Sequence, residues 1–125
     1  ILNMPKVHQD EMSKAKVVSV RIGDHRDELD PDEYMMEQFE EGFGFVINER
    51  QMPEIDAQPE PIPVEELLKG FSMWENWYDS ALAKCKELGV TKGSSAIIFH
   101  FLDYSATRCS IADTTHSKLI GSFDW

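Results

Sequence analysis

A chain of 125 residues, 42% apolar and 10% aromatic, fits one folded domain that buries about two thirds of its unfolded surface. Its formal charge of -11 disfavours nucleic acid, phosphate groups and anionic membranes as direct partners. No apolar run reaches the roughly 20 residues that a spanning helix needs, and Cys85 and Cys109 are too few for a disulfide scaffold and form no CxxC pair, so they read as reduced, buried thiols of a cytoplasmic protein.

Residues 1–14 are read as a flexible leader, since Met4 and Met12 both offer internal start positions, and residues 15–125 as a single domain. The run KVVSVRI at residues 16–22 alternates around Val18, Val20 and Ile22 and predicts a strand. A helix is expected over residues 31–41. Asp30 suits its N-cap, Pro31 its first position and Glu33 a capping box, Leu29 and Tyr34 can form a hydrophobic staple, and Gly42 is the stop.

FGFVI at residues 43–47 reads as a short strand. Residues 48–63 carry Pro53, Pro59, Pro61 and Pro63 among acids, which excludes helix and central strand and predicts an extended, exposed connection. A short helical segment follows at residues 64–69. A second main helix is expected from a capping box at Ser72 and Glu75 to Gly89, with Trp74, Trp77, Tyr78, Ala81, Leu82, Cys85 and Leu88 on its apolar stripe.

SAIIFHFL at residues 95–102 is apolar on both faces and predicts a central strand; two more strands are expected at residues 107–112 and 118–123. The order implies an α+β domain: a mostly antiparallel sheet of about five strands with two main helices packed on one face.

The charge is not spread evenly. Residues 24–60 hold thirteen acids against Arg26 and Arg50, which accounts for all of the -11, while the charges of the rest cancel. Such an imbalance produces a directional field that steers a cationic partner toward one face.

Catalytic constellations are sparse beside it. His25, His100, His116 and Cys109 show no metal-ligand spacing, and His100, inside an apolar strand, reads as a hydrogen-bonded core histidine. Ser94 lacks a nucleophile elbow, Cys85 lies on a buried stripe, and no glycine-rich phosphate loop occurs. A hydrolase based on paired carboxylates would draw on Asp103 and Asp124, near strand ends. No catalytic residue, cofactor or metal is assigned, and the chain is expected to act by binding. Trp74 and Trp77 read as core, and Trp125 as either docked or an interface anchor.

The VVSVRIG strand, the DPDEYMMEQFEEGFGF block, the acidic MPEIDAQPEPIPVEELLKGFS stretch and the SAIIFHFLDY strand resemble the immunity protein 22 family, over residues 16–104. These are small α+β proteins encoded beside bacterial polymorphic toxins. One position departs from the family pattern: Arg21 stands where an aromatic, usually tryptophan, precedes the Ile-Gly of the first strand.

The resemblance implies an immunity protein that binds and neutralises a cognate toxin domain, expected to be a basic nuclease, with no direct contact to nucleic acid or membrane. The acidic map assigns partner binding to Asp30, Asp32, Glu33, Glu37, Glu40, Glu41, Glu49, Glu54, Asp56 and Glu60, with Met52, Ile55 and Ile62 as apolar anchors. The alternative is an acidic adaptor or regulatory module with another basic partner.

Overall fold

The structure is a computed structural model that describes residues 7–23, 44–109, 113 and 117–125. The helix expected at residues 31–41 lies outside them. Strand β1 (Val7–His8) leads through a 3-10 turn at Gln9–Met12 into β2 (Ser13–Gly23); β3 (Phe45–Val46), β4 (Glu54–Pro63), α1 (Val64–Leu67), α2 (Trp74–Leu88), β5 (Lys92–Leu102), α3 (Ala106–Cys109) and β6 (Ser117–Asp124) follow. The architecture is α+β, as the sequence implies.

Among the described residues four strands form one sheet in the order β4-β5-β2-β6, with every neighbouring pair antiparallel. β5 sits inside it because its residues are apolar on both sides. Ala96 and Ile98 join Val18, Val20 and Ile22 of β2 and Ile120 of β6 under Val64, Leu67, Trp77, Ala81 and Cys85 of α1 and α2. Ile97 and Phe99 face the other way, into a second core with Met12, Phe45, Leu102, Tyr104 and Cys109. The helices thus cover one face, and the two-stranded parallel pair β1–β3 contributes Phe45 to the other. Gly93 permits a close approach of β5 to β2: a Cβ there would lie 2.6 Å from Ile22 Cγ2.

Four expectations are corrected. Residues 7–14, read as leader, carry β1, the 3-10 turn and the first residues of β2, with Met12 and Gln9 buried. Arg108 fastens this segment through its guanidinium, 2.6 Å from Glu11 Oε1 and 3.2 Å from the Glu11 carbonyl. The proline-rich connection is in large part the edge strand β4. Its pairing with β5 runs over Glu54–Ala57, breaks, and resumes at Ile62, so Pro59 and Pro61 fall in the break, where no ladder N–H is required.

Part of the strand expected at residues 107–112 is the helical turn α3. Ser105 starts it as a cap, its Oγ accepting the Arg108 N–H at 3.1 Å and its carbonyl the Cys109 N–H at 3.0 Å. The capping box at Ser72 does not form. The N-cap of α2 is Met73, at φ 57°, and Ser72 turns its hydroxyl to Glu54 instead.

Candidate functional site

Of the ten residues assigned to partner binding, Asp30, Asp32, Glu33, Glu37, Glu40 and Glu41 lie outside the described residues, and the other four separate into different settings. Glu49 and Glu60 are exposed, the first in the turn before β4 and the second in the break of β4. Asp56 is half-buried and accepts the Gln58 side-chain amide at 3.1 and 3.2 Å. Glu54 is tied down. Its carboxylate accepts the Ser72 N–H at 3.0 Å and the Ser72 hydroxyl, and its Oε2 lies 2.9 Å from His100 Nε2.

That carboxylate joins three separate segments: β4, the α1–α2 junction and β5. Partial burial raises the Glu54 pKa, but the Ser72 and His100 contacts outweigh it and hold the group below its ordinary value. His100 is therefore half-buried and paired with a carboxylate, rather than satisfied within the core. Serine, carboxylate and histidine do not make a catalytic relay here. The carboxylate stands between the other two, so the imidazole bonds to it and not to the Ser72 hydroxyl that it would have to deprotonate.

The other candidate chemistry is similarly quiet. Among the described residues no group of three or more His, Cys, Asp or Glu is placed to hold a metal ion. Burial pushes the Cys85 thiol up to about 11 and raises that of Cys109, whose Sγ contacts Met12 Sδ at 3.8 Å, so neither is poised as a thiolate. Asp103 and Asp124 are both exposed.

Arg21 is buried, with its guanidinium 4.9 Å from the Tyr104 ring centroid. Burial lowers its pKa against the opposing pull of Tyr104; burial likewise raises Tyr104, which Arg21 partly offsets. The position where the resembled family carries an aromatic thus holds an arginine stacked on an aromatic.

Gln9, Asp10, Asn48, Glu49 and Arg50 line an open polar cleft of about 360 Å³ together with His8, Val46 and Ile47. Its floor is internally bonded. Gln9 donates to the Gln51 carbonyl at 2.9 Å and accepts the Asn48 N–H at 2.8 Å, and Asn48 donates to Asp10 at 2.8 Å.

Trp77 is fully buried, as read. Trp74 is half-buried, edge-to-face with Tyr78 at 5.0 Å, and the Lys69 ammonium is 5.7 Å from both ring centroids. Trp125 packs against the first core, with its backbone N–H on the Lys16 carbonyl at 2.9 Å, so it is docked. Of the three expected anchors only Met52 is well exposed, at 43%; Ile55 packs on the second core and Ile62 on the first. Sequence reasoning missed Met73 and Phe101, exposed by 51% and 45%. Met73 looked like part of a cap and Phe101 like part of a buried strand.

No protein family, curated protein or solved structure matches the chain. No helix among the described residues is long and apolar enough to cross a membrane.

Proposed function

We propose that this chain is an immunity-type inhibitor, acting in the cytoplasm, that neutralises a basic toxin domain, a nuclease, by stoichiometric binding and without catalysis of its own. The observation that supports this reading is the confinement of the whole -11 to residues 24–60. A nuclease site is cationic because it must hold phosphates, so a concentrated acidic surface associates with it quickly and occludes it or binds beside it. The resemblance to immunity protein 22 over residues 16–104 points to the same kind of partner.

The local settings refine which acids act. Glu54 is engaged within the fold through Ser72 and His100, so we assign it to positioning, and the exposed Glu49 and Glu60 to the partner. The test is co-expression with the toxin domain encoded by the neighbouring reading frame, followed by binding kinetics. Protection of the cells and a 1:1 complex are expected. Reversing Glu49 and Glu60 to lysine should slow association about tenfold at low salt and flatten its salt dependence. No complex with that domain, and no protection, would refute the reading.

A further inference from the structure

The Glu54 carboxylate gathers more than polar groups. Its three segments each carry a large exposed apolar side chain within two residues of the bonded atom: Met52 before Glu54, Met73 after Ser72 and Phe101 after His100. Among the described residues the remaining large exposed apolar side chain, Leu88, lies at the far end of α2. The Phe101 ring is 6.4 Å from that of His100, which bonds the carboxylate.

Two of the three are also held in a conformation that their side chains resist. Met73 has φ 57° and Phe101 φ 58°, in the left-handed region that favours glycine or asparagine. At Phe101 this coincides with an irregularity in the sheet, where the β2–β5 register shifts between Ser13 and Val18, and Lys16 within that stretch also has φ 58°. Among the described residues neither Met73 nor Phe101 belongs to either core. Exposed apolar side chains on three segments that meet at one carboxylate, two of them on strained backbone, mark an interaction surface.

Within three residues of these anchors the chain carries Glu49, Glu54, Glu75 and Asp103 against Arg50, so the β4 and α2 side of the surface is acidic. Lys14 and Lys16 lie on the β2 side. This asymmetry selects a protein partner that is basic where it meets β4 and α2.

We propose that Met52, Met73 and Phe101 form the apolar centre of the interface with the basic toxin domain, fixed in place by the Glu54–Ser72–His100 contacts and rimmed by carboxylates. This rests on the proposed function and gives that partner its point of anchorage: carboxylates set the encounter rate, and the three apolar side chains set how long the complex lasts.

The experiment uses the full chain and the toxin domain encoded by the neighbouring frame. Met52→Ser, Met73→Asn and Phe101→Asn are made singly and together, with Leu88→Ser as the control. The triple variant is expected to weaken binding about a hundredfold, chiefly through faster dissociation. Its salt dependence should be unchanged, and Leu88→Ser should behave as wild type.

Met73→Asn and Phe101→Asn should melt higher than wild type while binding more weakly, an opposition that a purely structural role does not produce. Peroxide footprinting adds a readout free of mutation, because Met52 and Met73 should be protected from oxidation in the complex.

If the triple variant binds as wild type while the lysine reversals weaken binding, the anchorage is wrong and the acidic reading stands. If the triple variant loses affinity and the reversals do not, the anchorage stands and the placement of the acids falls. Failure of wild type to bind the toxin domain overturns both. A self-associated species dispersed by the triple variant would make a second copy the occupant and overturn the assignment to a basic partner.

Discussion

Strand β5 is held differently along its two edges. Toward β2 its register is continuous from Val18↔His100 to Gly23↔Ser95, between two layers of buried apolar side chains. Toward β4 the ladder covers Glu54–Ala57, breaks across Pro59 and Pro61, and resumes at Ile62. There the sheet relies on added polar contacts, with Glu54 reaching both His100 and Ser72. Burial holds the centre and local bonds hold the edge. That division lets β4 carry acids and prolines, which blunt an edge against strand pairing, without loss of the fold.

The difference can be broken most severely at the centre. Ile98→Ala deletes a fully buried side chain on β5 and should cost about 2–5 kcal/mol in chemical denaturation, through lost transfer energy and a cavity. Its partner across the β4 register, Glu54↔Ile98, has the neighbour Ile55, which is only half-buried, and Ile55→Ala should cost roughly 1 kcal/mol. Equal losses at the two sites would show that β4 is as much a part of the core as β2. Gly93→Ala comes next. Its methyl would press on Ile22 Cγ2 at 2.6 Å and the Gly23 carbonyl oxygen at 3.1 Å, costing about 1–3 kcal/mol by forcing the two strands apart.

The same contrast explains which elements are legible in the sequence. β2, β5, β6 and α2 announce themselves because burial imposes periodicity: Val18, Val20 and Ile22 alternate, and Trp77, Ala81 and Cys85 recur at helical spacing. β4 does not, because an edge strand needs only one bonded side and tolerates the prolines that read as a loop. Ser72 and Glu75 carry the letters of a capping box, yet the Glu54 carboxylate, eighteen residues earlier, takes the serine. Such competition between a local and a distant acceptor is invisible to spacing. Met73 and Phe101 were missed for a related reason: their exposure follows from left-handed backbone that no residue type there signals.

At the edge, the Glu54 contacts supply the next test. Glu54→Ala removes a carboxylate bonded to Ser72 and paired with His100, and should cost about 1 kcal/mol, since the group is partly solvated. The pH dependence fixes the sign. The folded state holds the Glu54 pKa below its ordinary value of 4.5, so the folded protein binds this proton less readily than the unfolded chain. Its contribution is therefore present above about pH 4.5 and is lost as pH falls through the lower folded value. Urea midpoints measured from pH 7 to pH 3 should fall less steeply in Glu54→Gln than in wild type. Parallel curves would show that the Ser72 and His100 contacts contribute nothing to the edge.

The smallest expected change has the most direct bearing on why the edge differs from the centre. Phe101 and Met73 each occupy left-handed backbone at a cost of about 1 kcal/mol relative to a residue that accepts it, and both are exposed, so replacement removes little packing. Phe101→Gly and Met73→Asn should therefore raise stability by roughly 0.5–1 kcal/mol each. Differential scanning calorimetry on the single and double variants measures this directly. A gain in stability means that the wild-type chain tolerates strain at the corner defined by Glu54, and tolerated strain needs a compensating use such as partner contact. A loss would mean that the two side chains stabilise the edge through packing that their exposure conceals; β4 would then be held as the centre is, by burial.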